Sequence, residues 1–225
     1  MRTSGEREQP AVAADQLPAP GENYNPGAPT TPRQAASVIL LRCGAASSPE
    51  GETLELLLVR RTPKARFMGG VWVFPGGAVD TDEGEGELAH PLAALRELRE
   101  EAGVTLDRPY LLVRFSRWIT PEQVQIRFDT HFFLAELPQG QTPQIDGQEC
   151  VDLGWFTPGG ALAAHRAGEL ELVFPTIKHL EQLSEFNSVH ALMDYARGRE
   201  VQPVQPRVVL EGEVARILLP GEPGY

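Results

Sequence analysis

Only two cysteines, Cys43 and Cys150, occur in 225 residues. That is too few for a disulfide framework or a cysteine-built metal cluster, and their apolar surroundings predict two buried thiols in a reducing compartment. No run of 18 apolar residues exists, which excludes a membrane-spanning helix. The start of the chain carries Glu6 and Glu8 where a secretory leader would have its apolar core. A soluble, unprocessed, cytoplasmic protein is expected. Positive charge is scarce as well: 20 Lys and Arg against 31 Asp and Glu give a formal charge of -11, which counts against nucleic acid and membrane as partners. An anionic ligand would have to be held by a local patch. No internal repeat is found, and the five histidines, His90, His131, His165, His179 and His190, have no ligand spacing, so they read as core or surface side chains.

The 41% of hydrophobic residues is ordinary for a folded domain. Residues 1–33, rich in Pro, Ala and Gly, read as a flexible tail. A domain is expected over 34–200 and a C-terminal extension with short strands over 201–225. Apolar runs at Ser37–Leu41 and Thr53–Val59, the stretch Tyr110–Trp118, the two-residue alternation in Gln125–Ala135, and Val151–Phe156 predict strands. Helices are predicted over Pro91–Ala102 before Gly103, over Ala161–Ala167, and as one long helix over Pro175–Arg197. That long helix is open to two readings, packing on the domain or forming a homodimer contact. Strand and helix mix without a βαβ rhythm, so the fold class expected is α+β, a layered α/β/α sandwich.

The informative segment is Arg96-Glu97-Leu98-Arg99-Glu100-Glu101-Ala102-Gly103-Val104. At about 100° per residue, Glu97, Glu100 and Glu101 share an arc of about 100°, while Leu92, Leu95, Leu98 and Ala102 fall on the other side. Three adjacent carboxylates repel one another, and a hard divalent cation bound through oxygen relieves that, Mg²⁺ being the natural candidate. The plain alternative is a solvated acidic helix face. Arg96, four residues before Glu100, is placed to orient it. Upstream, Arg60, Arg61, Lys64 and Arg66 put four cations into seven residues of an acidic chain, just before Phe74-Pro75-Gly76-Gly77. A Gly-Gly turn lets backbone approach a ligand closely, so the two features together are where a phosphate-bearing substrate would be held.

Together these residues resemble the Nudix box: Gly, five residues, Glu, seven residues, then Arg-Glu-apolar-any-Glu-Glu-any-Gly-apolar. Gly77 and Glu83 keep the first spacing and Arg96–Val104 match the second half, but twelve residues separate Glu83 from Arg96, an insertion of five in the acidic 80–87 loop. Leu57–Thr62, Arg66, Gly70 and Phe74–Gly77 resemble the signature that Nudix coenzyme A diphosphatases carry before the box, with Val59 and Thr62 as departures. Phe67-Met68, Trp118–Pro121 and Arg127–Thr130 are similar to the peroxisomal-type branch and its bacterial relatives.

The resemblance implies metal-dependent hydrolysis of a diphosphate linkage in a small nucleoside diphosphate derivative. Coenzyme A or acyl-coenzyme A is the first substrate expected, giving adenosine 3′,5′-bisphosphate and a 4′-phosphopantetheine. ADP-ribose, NADH or another nucleotide is the alternative, and a non-catalytic nucleotide-binding module the opposing class. It implies Mg²⁺ or Mn²⁺ held by Glu97, Glu100, Glu101 and Gly77. Catalysis would fall to Glu97, Glu100 and the late loop residue Glu149, and substrate binding to Arg60, Arg61, Lys64, Arg66, Gly76 and Gly77.

Overall fold

Ser37–Leu41, the most apolar run, lies inside the central strand of a mixed sheet. The computed structural model describes residues 12–13, 25, 27–44, 53–65, 67–84, 86–211 and 214–225. Its strands are β1 (Val12–Ala13), β2 (Arg33–Gly44), β3 (Thr53–Arg61), β4 (Trp72–Val73), β5 (Gly76–Ala78), β6 (Val113–Ile119), β7 (Phe128–Glu136), β8 (Cys150–Phe156), β9 (Pro203–Val204), β10 (Arg207–Glu211) and β11 (Val214–Leu218). The helices are α1 (Ala89–Ala102), α2 (Pro158–Arg166), α3 (Phe174–Leu183) and α4 (Val189–Arg197). The main sheet runs β4-β3-β2-β7-β6-β9, with β5 added to β2 and β8 to β3. β2 is parallel to β7 along Arg33–Leu41, and its other edge pairs antiparallel with β5 and then β3. A strand buried on both faces reads as a continuous apolar run, as β2 and β3 do.

Alternate residues of that run feed two cores. Ile39, Leu41, Leu56 and Leu58 pack with Leu180, Leu183, Leu192 and Met193 of α3 and α4. Val38, Leu40, Leu57 and Val59 pack with Ala93, Ala94, Leu98 and Ala102 of α1. Helices thus cover both faces, and the α+β sandwich expected from the sequence is the fold observed.

Several local expectations change. The single helix expected over 175–197 is two helices, α3 and α4. Ser184 turns its hydroxyl back onto the Leu180 carbonyl, and Ser188 caps α4 by accepting the Ala191 N–H. Cys150 is buried as expected, but Cys43 is exposed. Leu92, assigned to the packed side of α1, is 38% exposed, whereas Glu101 is 2% exposed. The buried stripe is centred on the small residues Ala93 and Ala94 and reaches the carboxylates, because alanines let helix and sheet approach closely. Most of the tail lies outside the described residues. Within it, Asn25 donates its N–H to the Gln123 carbonyl, Thr30 donates to the Gln125 carbonyl, and β1 pairs with β11.

One histidine is part of the core. His179 is 1% exposed among the rings of Phe74, Phe115, Trp118 and Phe132. Its Nδ1 faces the Pro175 carbonyl at 2.7 Å and so carries the proton. Nε2 therefore accepts from the Ser116 hydroxyl at 2.6 Å. Burial pushes its pKa down to about 4, below the ordinary value near 6.5, so the unfolded chain takes up a proton that the folded one refuses. Stability should be full above about pH 6.5 and fall as pH drops toward about 4. The urea midpoint of His179→Gln, followed over the same range, should show a shallower fall; parallel pH profiles for the two proteins would refute the assignment.

Candidate active site

Residues of α1 reach the site because Gly103 ends the helix in the left-handed conformation, φ 65°, returning its N–H to the Arg99 carbonyl. The last two turns therefore present Glu97, Glu100 and Glu101 toward β5. Gly76 and Gly77 leave no room for a side chain. A Cβ on Gly76 would meet the Ala36 carbonyl oxygen and Ser37, and one on Gly77 would collide with the Glu97 carboxylate. The Gly76 N–H instead donates to Glu101 at 2.9 Å.

Arg96 organises the carboxylates. Its Nε donates to Glu83 at 2.9 Å, Nη1 to Glu97 at 2.7 Å and to Glu100 at 3.1 Å, and Nη2 to the Ala78 carbonyl at 2.9 Å. Glu83 thus has a clear place despite the five-residue insertion. A short 3₁₀ turn over Thr81–Glu83 closes before the inserted residues, and Glu83 also accepts the Asp80 N–H at 2.7 Å, so the extra length loops out beyond it.

Burial pushes the Glu97 carboxyl up, the Arg96 guanidinium opposing and the Glu100 and Glu149 charges adding to the rise. Glu101 is pushed up to about 7 by burial, against the Gly76 N–H, which favours its charged form. Its other neighbours are Arg61, with Nη1 3.9 Å away, and the Cys150 thiol, whose own pKa burial and Glu101 raise. Among the described residues no three side chains are gathered at one point in the manner of a filled metal site. Arg96 spans Glu97 and Glu100, while Glu101 turns to Gly76.

Of the residues gathered here, Arg61, Gly76, Gly77, Glu97 and Glu149 line one end of a cavity of about 400 Å³, while Arg96, Glu100 and Glu101 stand behind its wall. The expected late loop supplies Glu149 in a definite way. Asp146 accepts the N–H groups of Glu149 and Cys150 at 2.8 and 2.9 Å. Slight burial works against ionisation of Asp146, but these bonds outweigh it and hold the carboxyl below its usual range. The Glu149 carbonyl accepts from Thr62 N–H.

The basic patch is corrected. Arg61 lines the cavity and its Nε is buried with no hydrogen-bond partner. Arg60, its neighbour on a strand, points to the other face and donates to the Gly70 carbonyl. Lys64 is exposed on the following turn and is not in the wall. Arg66 lies outside the described residues.

The sequence reading missed Arg33, whose side chain reaches the cavity beside Phe128. It also missed the job of Asp129, which forms a paired ion bridge with Arg117 at 2.8 and 2.6 Å. Removing the guanidinium that spans Glu83, Glu97 and Glu100 should leave partly buried carboxylates uncompensated. Arg96→Gln is expected to cost about 2–4 kcal/mol in urea unfolding at pH 7; a loss within about 0.5 kcal/mol of zero, the range of ordinary surface changes, would mean the hub is not structural.

The NUDIX domain model matches residues 31–176. A candidate nudix hydrolase of Caenorhabditis elegans, nudix hydrolase 7, is 24% identical over 217 residues, covering 81% of this chain and 70% of its own. The human acyl-coenzyme A diphosphatase NUDT19 is 24% identical over 310 residues, covering 90% of this chain and 82% of its own. A crystal structure of a Nudix hydrolase from Alicyclobacillus acidocaldarius superposes with a TM-score of 0.64 at 26% identity, over 73% of this chain and 96% of that one. With the box residues assembled around Arg96 and the fold in common, this chain belongs to the Nudix family and is a hydrolase of the diphosphate-bond type.

Proposed function

We propose that the chain hydrolyses coenzyme A and its acyl esters with the help of Mg²⁺ or Mn²⁺. The observation that carries the reaction is the cavity end where Glu97 and Glu149 face Arg61, whose Nε has no protein partner. An unpaired buried guanidinium nitrogen beside carboxylates is a binding position for a phosphoryl oxygen. Two findings support coenzyme A as substrate: the pre-box signature through Leu57–Gly77, and the likeness over 90% of the chain to a protein described as an acyl-coenzyme A diphosphatase.

Nudix hydrolases generally use divalent metals, and the donor set here fits one. Glu97, Glu100 and Glu101 offer only hard carboxylate oxygens, and burial has raised Glu97 and Glu101, a penalty that a cation nearby removes. These three would hold the ion, with the Gly77 backbone beside them. Once bound, Mg²⁺ or Mn²⁺ supplies charge neutralisation at the phosphoryl oxygens and a more acidic water.

The residues do the rest. Arg61 and the Gly76–Gly77 strand seat the diphosphate, Arg96 keeps Glu97 and Glu100 in position, and Glu97 or Glu149 takes the proton of the attacking water. As the water oxygen bonds to one phosphorus, the bridging P–O bond breaks. The leaving phosphate carries the electron pair, and the products are adenosine 3′,5′-bisphosphate and the 4′-phosphopantetheine, acylated or not.

Glu97→Gln and Glu100→Gln should each lower kcat by about 100-fold or more with melting temperature changed by only a few degrees; turnover within a factor of two of the unaltered protein would dismiss the carboxylate mechanism. Phosphate-linked assays with coenzyme A, ADP-ribose, NADH and dinucleoside polyphosphates should give the highest kcat/KM on coenzyme A or its esters, and a higher value on any of the others would overturn the substrate.

A further inference from the structure

The family match ends at residue 176, but the cavity does not. Pro206, Val208 and Ile217, all beyond the matched segment, are part of its wall. Val208 and Ile217 stand directly opposite each other in the β10–β11 pair, so their side chains share one face. The hairpin is fixed in place. β9 pairs in parallel with Arg117 and Trp118 of β6, Val208 packs on Val124, and the Val208 N–H donates to Gln123 Oε1 at 3.4 Å. At the end of the chain, the Tyr225 hydroxyl donates to the Gln205 carbonyl at 2.8 Å, and Arg207 lies over the Tyr225 ring at 4.5 Å.

The opposing wall is also apolar, formed by Phe67, Met68, Trp118 and Phe128. Met68 is held at φ 53°, the only non-glycine residue with positive φ among the described residues. A bulky side chain adopts that conformation only against strain, and here it packs against Val71 and Val173 while lining the cavity.

The charged groups Glu97, Glu149 and Arg61 belong to the box end; on the hairpin side the one charged lining residue among the described residues is Arg33. The lining hydroxyls are those of Ser37, Thr120, Thr130 and Thr176, none of them on the hairpin; a nucleobase laid against Pro206, Val208 and Ile217 would meet side chains that offer no hydrogen bond, and unpaired buried polar atoms are costly. An alkyl chain brings none. The cavity, about 400 Å³, is in the range that ligand pockets occupy.

We propose that the β10–β11 hairpin is a specificity wall added to the Nudix domain, and that Val208 and Ile217 line the seat of the substrate's aliphatic acyl chain. This rests on the coenzyme A reading above. The wall selects esters over free coenzyme A by burying the chain, with the diphosphate fixed at the box end.

Two probes, coenzyme A and octanoyl-coenzyme A, separate the possibilities. Binding is followed by the intrinsic fluorescence of the tryptophans, one of which is Trp118, in EDTA so that no turnover occurs. Octanoyl-coenzyme A should bind at least about tenfold tighter than coenzyme A, since several methylenes leave water. In Val208→Glu and Ile217→Glu that ratio should collapse toward one. Because a buried glutamate can unfold the hairpin, Val208→Phe serves as the second variant. It fills the chamber, and should reject octanoyl-coenzyme A while still accepting acetyl-coenzyme A. Equal binding of the two probes by the unaltered protein, or a ratio unchanged in all three folded variants, overturns the wall while leaving coenzyme A as the substrate. Failure of both coenzyme A compounds to bind where ADP-ribose does bind overturns the coenzyme A reading, and the acyl seat with it.

Discussion

One guanidinium sets the geometry on which the rest of the site depends. Arg96 bonds at the same time to the loop before the helix through Glu83, to the Gly-Gly strand through the Ala78 carbonyl, and to the helix's own Glu97 and Glu100. Three segments, two of them carrying carboxylates that would otherwise repel one another, are thereby drawn to a single planar cation. Five donors in a rigid fork make this possible where the compact ammonium of lysine could not serve as many directions. The network lies across a helix–sheet contact made mainly by alanines, so the carboxylates are brought close to the sheet and kept partly out of water. The burial that raises the pKa values of Glu97 and Glu101 follows from that closeness.

Much of this was legible in the chain because the signals are local. The arc of Glu97, Glu100 and Glu101 and the terminating Gly103 are properties of a few consecutive residues, and they fold as their spacing demands; Gly76 and Gly77, expected as a turn, are instead a strand paired with Ala36 and Ser37. The two-faced burial of β2 follows in the same way from Ser37–Leu41. What could not be read depends on partners far away in sequence. Leu92 has the right hydrophobicity for a packed position, but Ala93 and Ala94 are the residues that fit against β2. Arg60 and Arg61 look equivalent in the sequence; strand alternation, and the way the sheet is covered, send only one of them into the cavity. Asp129 lies in a strand between Phe128 and Thr130, and its counter-charge comes from Arg117 on the neighbouring strand. The break between α3 and α4 was available in Ser184 and Ser188, whose side chains compete with or cap helical hydrogen bonds, but a helical pattern on either side obscured it.

The two cores differ in character. The α1 face is built from small residues and ionisable groups. The α3–α4 face is built from large aliphatic and aromatic side chains around a neutral histidine that is fully hydrogen-bonded. His179 shows how an imidazole is tolerated there: one nitrogen donates to the Pro175 carbonyl, the other accepts from Ser116, so neither polar atom is left unpaired. The same aromatic cluster runs from Phe74 toward the cavity, so the floor of the site and one core are continuous.

The attachment of β5 along Ala35–Ser37 ties the Gly-Gly end of the cavity to the central strand. The Gly-Gly segment is a strand of the main sheet, hydrogen-bonded to the same residues that pair with β7 on the other side. It cannot swing away without breaking the central strand's ladder. The diphosphate end of the cavity is therefore as stiff as the sheet itself. The far walls, the segment carrying Phe67 and Met68 and the β10–β11 hairpin, meet the cavity through apolar side chains instead. One end of the cavity is thus shaped by backbone hydrogen bonds of the main sheet and the other by side-chain packing.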